Sequence, residues 1–377
     1  MRTSTGKKER DDTMIPRTPR GFRDVLPTEA AWRLSIKEAL NDRFKLWGYL
    51  PVETPTLELL DVLEMGGKLT DTPFRFFDSD QQQLVLRPDV TLPVARMAAL
   101  RMAGSEEPLR LCYAHQVFVE NDSTYGQDRQ VTQAGVECIG PQGAVADAEL
   151  LCLLFEALAA TGLSDFTVAI GAVGVLNALV EGASADAGWK REVLAAFHAS
   201  DLVSLGRLAA DGRAKPIYAR AISKLARIRG GREAFQQCRE LVAPLGCEDG
   251  LSVLERSYDL VTENVSCGKL LVDFSIISSL DYYSGMVFKA YVPQVAKAVA
   301  SGGRYDHTLA KFGADRPAAG FAISLEPLMQ GLEEQGVNPP QVGPDRVVEG
   351  QDAQAMFAEA RELRARGVRV VLGGERA

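Results

Sequence analysis

Arg110-Leu-Cys-Tyr-Ala-His-Gln-Val-Phe118 and Val131-Thr-Gln-Ala-Gly-Val-Glu-Cys-Ile139 are the two runs that decide how this chain folds. Both are dominated by aliphatic and aromatic residues, and each predicts a strand. The interval between them, residues 119–130, is polar and contains Gly126. The two runs therefore read as a hairpin with a long loop, and long loops often carry function. Within the second run Gln133 and Glu137 are four residues apart, which on a strand places both on one side. A strand glutamate taken alone is usually solvated, so this pair gains meaning only from its surroundings.

Upstream, Thr18-Pro-Arg-Gly-Phe-Arg-Asp24 reads as a loop preceded by a polar arm over residues 1–14. Thr28 is placed to N-cap a helix. The apolar positions Ala31, Leu34, Ala39, Leu40, Phe44 and Trp47 of that helix follow a helical period, and Gly48 ends it. Residues 49–55 predict a strand, and residues 75–78 and 83–87 predict two more joined by a polar turn. Residues 90–102 predict a helix. Downstream come an apolar helix (146–161), a strand (166–171) and a mostly helical insertion over about 174–264. Strands resume at 269–277, 285–292 and 299–301, and residues 321–331 predict a last buried helix. Residues 336–344 have the Pro/Gly content of a linker. One helix (353–366) and one strand (368–372) follow, too little for an independent core. Antiparallel-looking strands with helices in blocks predict an α+β fold, organised as an arm (1–14), a main domain (15–335) and a linker with a short α/β tail (336–377).

Composition narrows the function. The 377 residues carry a net charge of −8, which argues against a phosphate-neutralising nucleic-acid surface. Lys7, Lys8 and Arg10 form the richest basic run, and Asp11 and Asp12 follow at once. None of the six cysteines forms a CxxC pair, and the three histidines are widely spaced. Neither a metal centre nor a disulfide framework is expected, and the cysteines read as reduced, buried apolar residues of a cytoplasmic protein. No apolar signal segment or ~20-residue apolar run is present, so no membrane association is expected. Dinucleotide GxGxxG, GxxxxGK and GxSxG motifs are absent, and no cofactor is expected.

Several segments, in order over roughly residues 18–330, resemble the class II synthetase core of the histidyl-tRNA synthetase family. Thr18–Asp24 is similar to that family's opening motif. Gly48-Tyr-Leu-Pro-Val-Glu-Thr-Pro55 resembles motif 1, which forms the family's dimer interface. Leu86-Arg-Pro-Asp-Val-Thr91 resembles the amino-acid-binding loop, and Gln133-Ala-Gly-Val-Glu137 the end of motif 2. Leu280-Asp-Tyr-Tyr-Ser-Gly-Met-Val-Phe288 resembles the histidine-specific signature. Ser301-Gly-Gly-Arg-Tyr-Asp306 and Gly320-Phe-Ala-Ile-Ser-Leu-Glu326 resemble the surroundings of motif 3.

The resemblance implies a class II synthetase-like core: an antiparallel sheet flanked by helices, with a helical insertion. It also implies a histidine pocket. Asp89, Thr91 and Gln133 occupy positions that bind the α-ammonium group, and Glu137, Tyr282 and Tyr283 those that hold the imidazole. Asp89 stands where the family has glutamate, and its alternative role is to cap the helix that follows. The phosphate-binding arginines are replaced by Val119 after Phe118 and by Pro327 after Glu326, and Ser278 and Ser279 stand where a third is expected. Pro327 is also expected to perturb its helix. Each comparable transition-state donor contributes ~3–4 kcal/mol, so losing three should abolish adenylation. Arg129, Arg304 and Arg316 remain as cations for other anions.

A synthetase core without these arginines or a full anticodon-binding domain is similar to the regulatory subunits of ATP phosphoribosyltransferase. That resemblance implies a non-catalytic homodimer, paired through motif 1. It would bind the short-form catalytic subunit and take L-histidine as effector, with no tRNA partner and no catalytic residue of its own. The 119–130 loop is the expected moving element. The alternative is a divergent histidyl-tRNA synthetase or a synthetase-derived ligase.

Overall fold

A computed structural model describes residues 17–67, 73–120, 128–276 and 283–373. Its centre is a nine-stranded mixed sheet. Across the sheet the strands run Leu50–Pro51, Leu109–Phe118, Gln130–Ile139, Ala318–Ser324, Ala300–Arg304, Met286–Tyr291, Thr167–Ala172, Lys269–Asp273 and Arg229–Gly230. The expected hairpin is present, with Leu111 opposite Glu137 and His115 opposite Gln133. All neighbours pair antiparallel except Leu50–Pro51 with Leu109–Phe118, and Thr167–Ala172 with Lys269–Asp273.

Strand alternation separates two faces. One presents Val136, Ile170, Phe288, Phe321 and Ile323 to the helices Pro27–Leu46, Gly143–Ala160 and Leu251–Asn264, forming the main core. The other presents Leu111, Tyr113 and Ile139 to the helices Leu60–Gly66 and Thr91–Arg101 and the short turn Leu309–Phe312. This second layer covers only one end of its face. Beyond it Ser301 is exposed, and Gln133, Ala322, Ser324 and Lys289 are half-buried.

Helix ends follow local chemistry. The first helix starts at Pro27, with Leu26 at the N-cap and no side-chain cap. Thr28 therefore lies inside the first turn and is not the N-cap: proline at N1, where no N–H is needed, sets the start instead. Gly48, at φ 78°, closes that helix by donating its N–H to the Lys45 carbonyl. In the helical insertion, Asp186 and Asp201 accept the first free N–H groups of Ala187–His198 and Leu202–Ala210.

Three other expectations change. The strand expected at 49–55 is only Leu50–Pro51, an edge strand ending at its proline. The helix expected at 321–331 is a strand, Ala318–Ser324, followed by the helix Leu325–Glu334. In that strand Phe321 and Ile323 point into the main core while Gly320 and Ala322 face the other side. A strand buried on both faces gives a continuous apolar run that periodicity does not separate from a helix. Finally, the tail holds a second strand: Arg346–Val348 pairs parallel with Val370–Leu372, and the helix Ala353–Ala365 packs on them through Val348, Ala360 and Val370.

Candidate functional site

The candidate site is built on the partly covered face, and its floor is made by glycines. In register across four strands lie Glu137, Gly320, Gly303 and Val287, and one pleat further Gly135, Ala322, Ser301 and Lys289. A Cβ at Gly135 would lie 2.6 Å from the Tyr113 hydroxyl, and one at Gly303 would lie 2.7 Å from the Tyr283 ring. A Cβ at Gly320 would collide with the Glu137 carboxylate. These three positions lack side chains so that Tyr113, Tyr283 and Glu137 can lie down on the sheet.

Glu137 is the centre of the cluster and is 1% exposed. Its carboxylate accepts hydrogen bonds from the hydroxyls of Tyr305 and, at 3.4 Å, Tyr113. Burial pushes its pKa up to about 7, against the Tyr305, Thr91 and Tyr113 hydroxyls, which favour the ionised form. Asp89, a second carboxylate close by, adds to the upward push. The Tyr113 phenol is held well above its ordinary range by burial, with Glu137 adding to it.

The site residues expected from sequence divide as follows. Thr91, the first residue of the helix Thr91–Arg101, reaches both Glu137 and Tyr113. Asp89 adjoins the same cluster, and its Oδ1 also accepts the Leu92 N–H at 2.9 Å. The capping role weighed for it is therefore real and coexists with the site. Tyr283 lies over Gly303. Gln133 is two pleats from Glu137 on the same face and opens onto a cavity. Tyr282 lies outside the described residues, as do Ser278, Ser279 and residues 121–127 of the hairpin loop. Sequence reasoning missed Tyr113 and Tyr305. Tyr305 stood inside a quoted motif without a role, and only strand register brings Tyr113 against Glu137.

The cavity beside Gln133 measures about 1070 Å³ and is walled in part by Val117, Val119, Ser324, Glu326 and Pro327. Val119 and Pro327 thus flank one space, where the resemblance had expected two arginines. Pro327 does not perturb its helix. It is the third residue of Leu325–Glu334, where the N–H it lacks has no intrahelical acceptor. Four of the charges on the cavity wall, Arg23, Glu29, Arg33 and Glu326, are paired to one another, and Lys297 also lines it. Arg33 bridges Glu326 at 3.0 Å and Glu29 at 2.9 Å, and Glu29 also holds Arg23 at 2.5 Å. Glu326 accepts the Thr132 N–H at 3.1 Å.

The three arginines expected to serve anions are engaged in holding the fold. Arg304 is clamped in the interior between Asp147 and Asp306. Arg316 donates to the carbonyls of Ser105, Glu107 and Ile139. Arg129 stacks over Phe74 at 5.7 Å and donates its backbone N–H to Gly21. Buried Arg87 is also structural, donating to the carbonyls of Thr54, Pro55 and Gln116 and so tying the amino-acid loop to the chain that follows the edge strand. Among the described residues no group of His, Cys, Asp or Glu side chains is arranged to hold a metal ion, and no helix is long and apolar enough to cross a membrane. All six thiols are free.

Residues 21–328 match the histidyl-tRNA synthetase family. The ATP phosphoribosyltransferase regulatory subunit of Moorella thermoacetica is 35% identical, over 95% of this chain and 92% of its own length. That of Desulforamulus reducens is 36% identical, over 93% and 88%. Among solved structures, one from Bacillus halodurans described as an ATP phosphoribosyltransferase regulatory subunit/histidyl-tRNA synthetase superposes with a TM-score of 0.85 at 29% identity, covering 94% of this chain and 92% of that one. A histidyl-tRNA synthetase from Nostoc shares the fold with a TM-score of 0.78 at 22% identity, over 96% and 86%. The chain thus belongs to the histidyl-tRNA synthetase family, in the branch formed by the regulatory subunits of ATP phosphoribosyltransferase.

Proposed function

We propose that this chain is the non-catalytic regulatory subunit of an ATP phosphoribosyltransferase in histidine biosynthesis, which activates a short catalytic subunit and makes it sensitive to L-histidine. One observation carries the reading. The amino-acid half of the site keeps its polar cluster around Glu137, whereas the adjoining cavity has Val119 and Pro327 on its wall and its Arg33 tied to Glu29 and Glu326. Such a site can hold an imidazole donor against a carboxylate, but it offers little to a developing phosphate charge. Histidine acts by binding one state of the complex more tightly than the other.

In this reading the subunit is a homodimer paired through the motif 1 region. The helix Pro27–Leu46 leaves Leu34 and Leu46 exposed, and the strand Leu50–Pro51 exposes Leu50, apolar side chains left for a second copy to cover. The test is an activity assay of the short catalytic subunit with and without this chain, titrated with L-histidine. Activation on mixing, and inhibition by histidine only in the mixture, are expected. Robust histidine-dependent ATP–pyrophosphate exchange by this chain alone would replace the reading with an adenylating enzyme. Activation that histidine leaves untouched would reduce the chain to an assembly scaffold.

A further inference from the structure

An amino acid seated with its side chain against Glu137 must also place its carboxylate, and the described positions where the resemblance expects arginine hold Val119 and Pro327. On the same sheet face, beyond the covering layer, lies Lys289. Lys289 stands in the row Gly135, Ala322, Ser301, Lys289, one pleat from the row that carries Glu137. The strand between them contributes Ser301 and Gly303, and the Tyr283 ring lies over Gly303. Gly320, on which the Glu137 carboxylate lies, and Lys289 are two strands and two residues apart, about 12 Å between their Cα atoms at standard strand spacings. An extended lysine stem covers about 6 Å of that, leaving a gap close to the length of a free amino acid of histidine's size.

Lys289 is also a charge without a counter-charge. It is half-buried, and among the described residues no carboxylate pairs with it and no acceptor binds it. Of the other basic side chains near the site, Arg304 is held by Asp147 and Asp306 and Arg33 by Glu29 and Glu326, while Lys297 lines the neighbouring cavity as an exposed residue outside the sheet. Burial alone holds the Lys289 ammonium below its ordinary pKa. An unpaired cation in that state gains when an anion arrives, because the anion restores what desolvation removed.

We propose that Lys289 binds the α-carboxylate of the amino-acid effector, replacing from the opposite side of the trough the arginines that the synthetase fold would use. This rests on the histidine-pocket reading and adds to it the residue that separates a free amino acid from its decarboxylated or reduced analogues. The ammonium of Lys289 gives a charge-assisted bond to the carboxylate while Glu137 holds the far end of the ligand.

The test is calorimetric titration of the full chain, in complex with its catalytic partner, using L-histidine and histamine, which lacks the carboxylate. The unaltered protein is expected to prefer L-histidine by tenfold or more. Lys289→Met should weaken L-histidine about tenfold and change histamine less than twofold, and Lys289→Arg should recover part of the preference. An unchanged preference in Lys289→Met overturns the proposal, as does equal weakening of both ligands, which marks a general disturbance of the sheet. If the unaltered protein binds neither ligand, the pocket reading itself fails, an outcome distinct from either result with the variant.

Discussion

Glu137 makes the stability of this protein depend on pH in a way that its neutral isostere should remove. The carboxyl is fully buried, and its pKa is raised from an ordinary 4.5 to about 7. A raised pKa means that the folded state holds the proton more tightly than the unfolded state does. Below pH 4.5 both states are protonated and the residue is neutral toward folding. Between pH 4.5 and 7 the unfolded chain loses the proton first, and folding stability falls. Above 7 the penalty is complete, at about 3 kcal/mol. Glu137→Gln keeps an acceptor for Tyr305 and removes the ionisation. Its own offset, from bringing a new N–H pair into the cluster, is small in its pH dependence beside the ionisation that is removed. Urea unfolding followed by circular dichroism at pH 5 and pH 8 should therefore show the variant gaining about 2–3 kcal/mol on the unaltered protein between the two conditions. A difference that stays constant across that interval would show that Glu137 is not held in the protonated state by burial, and the description of the cluster would be wrong.

Other perturbations follow from the same geometry. Glu137→Ala should weaken L-histidine binding by about 30-fold or more, since a ligand donor loses a charged acceptor and the Tyr305 and Tyr113 hydroxyls lose theirs; an unchanged calorimetric affinity would remove Glu137 from the pocket. Asp147→Ala should destabilise the fold by about 3–5 kcal/mol in chemical denaturation, because it leaves buried Arg304 with one carboxylate, Asp306, and the Pro141 carbonyl, and a loss below about 1 kcal/mol would mean the clamp is solvated. If the chain pairs through this region as proposed, Leu50→Glu should shift it toward monomer in sedimentation, and an unaltered dimer would place the self-contact elsewhere.

The sequence displayed the fold where polar and apolar residues alternate or where turns interrupt them. The hairpin of Leu109–Phe118 and Gln130–Ile139 was legible for that reason. Ala318–Ser324 was not, because its two faces are both covered and its pattern carries no period. The same strand supplies Gly320, so missing it also hid the floor on which Glu137 rests. Gln133, Glu137 and Thr91 could be named from motif resemblance, and the structure brings Thr91 and Glu137 together. Tyr113 and Tyr305 could not be distinguished from core tyrosines, since their role depends on a cross-strand register and on residues 168 positions apart in the chain. Pairing also decided the arginines. Arg304 looks like an available cation until Asp147, 157 residues away, is placed against it.

Val119 and Pro327 also bear on the history of the site. Both face one cavity, yet they are far apart in the chain and change by separate mutational events. Restoring one arginine would return about 3–4 kcal/mol of transition-state stabilisation while the other position stayed apolar. Adenylation would gain a few hundredfold and still lack the second cation, and the new arginine would have to be seated in the first turn that Pro327 now occupies. Return to full adenylation therefore takes more than one substitution on separate parts of the cavity wall, so ordinary side chains act as a ratchet toward the regulatory role.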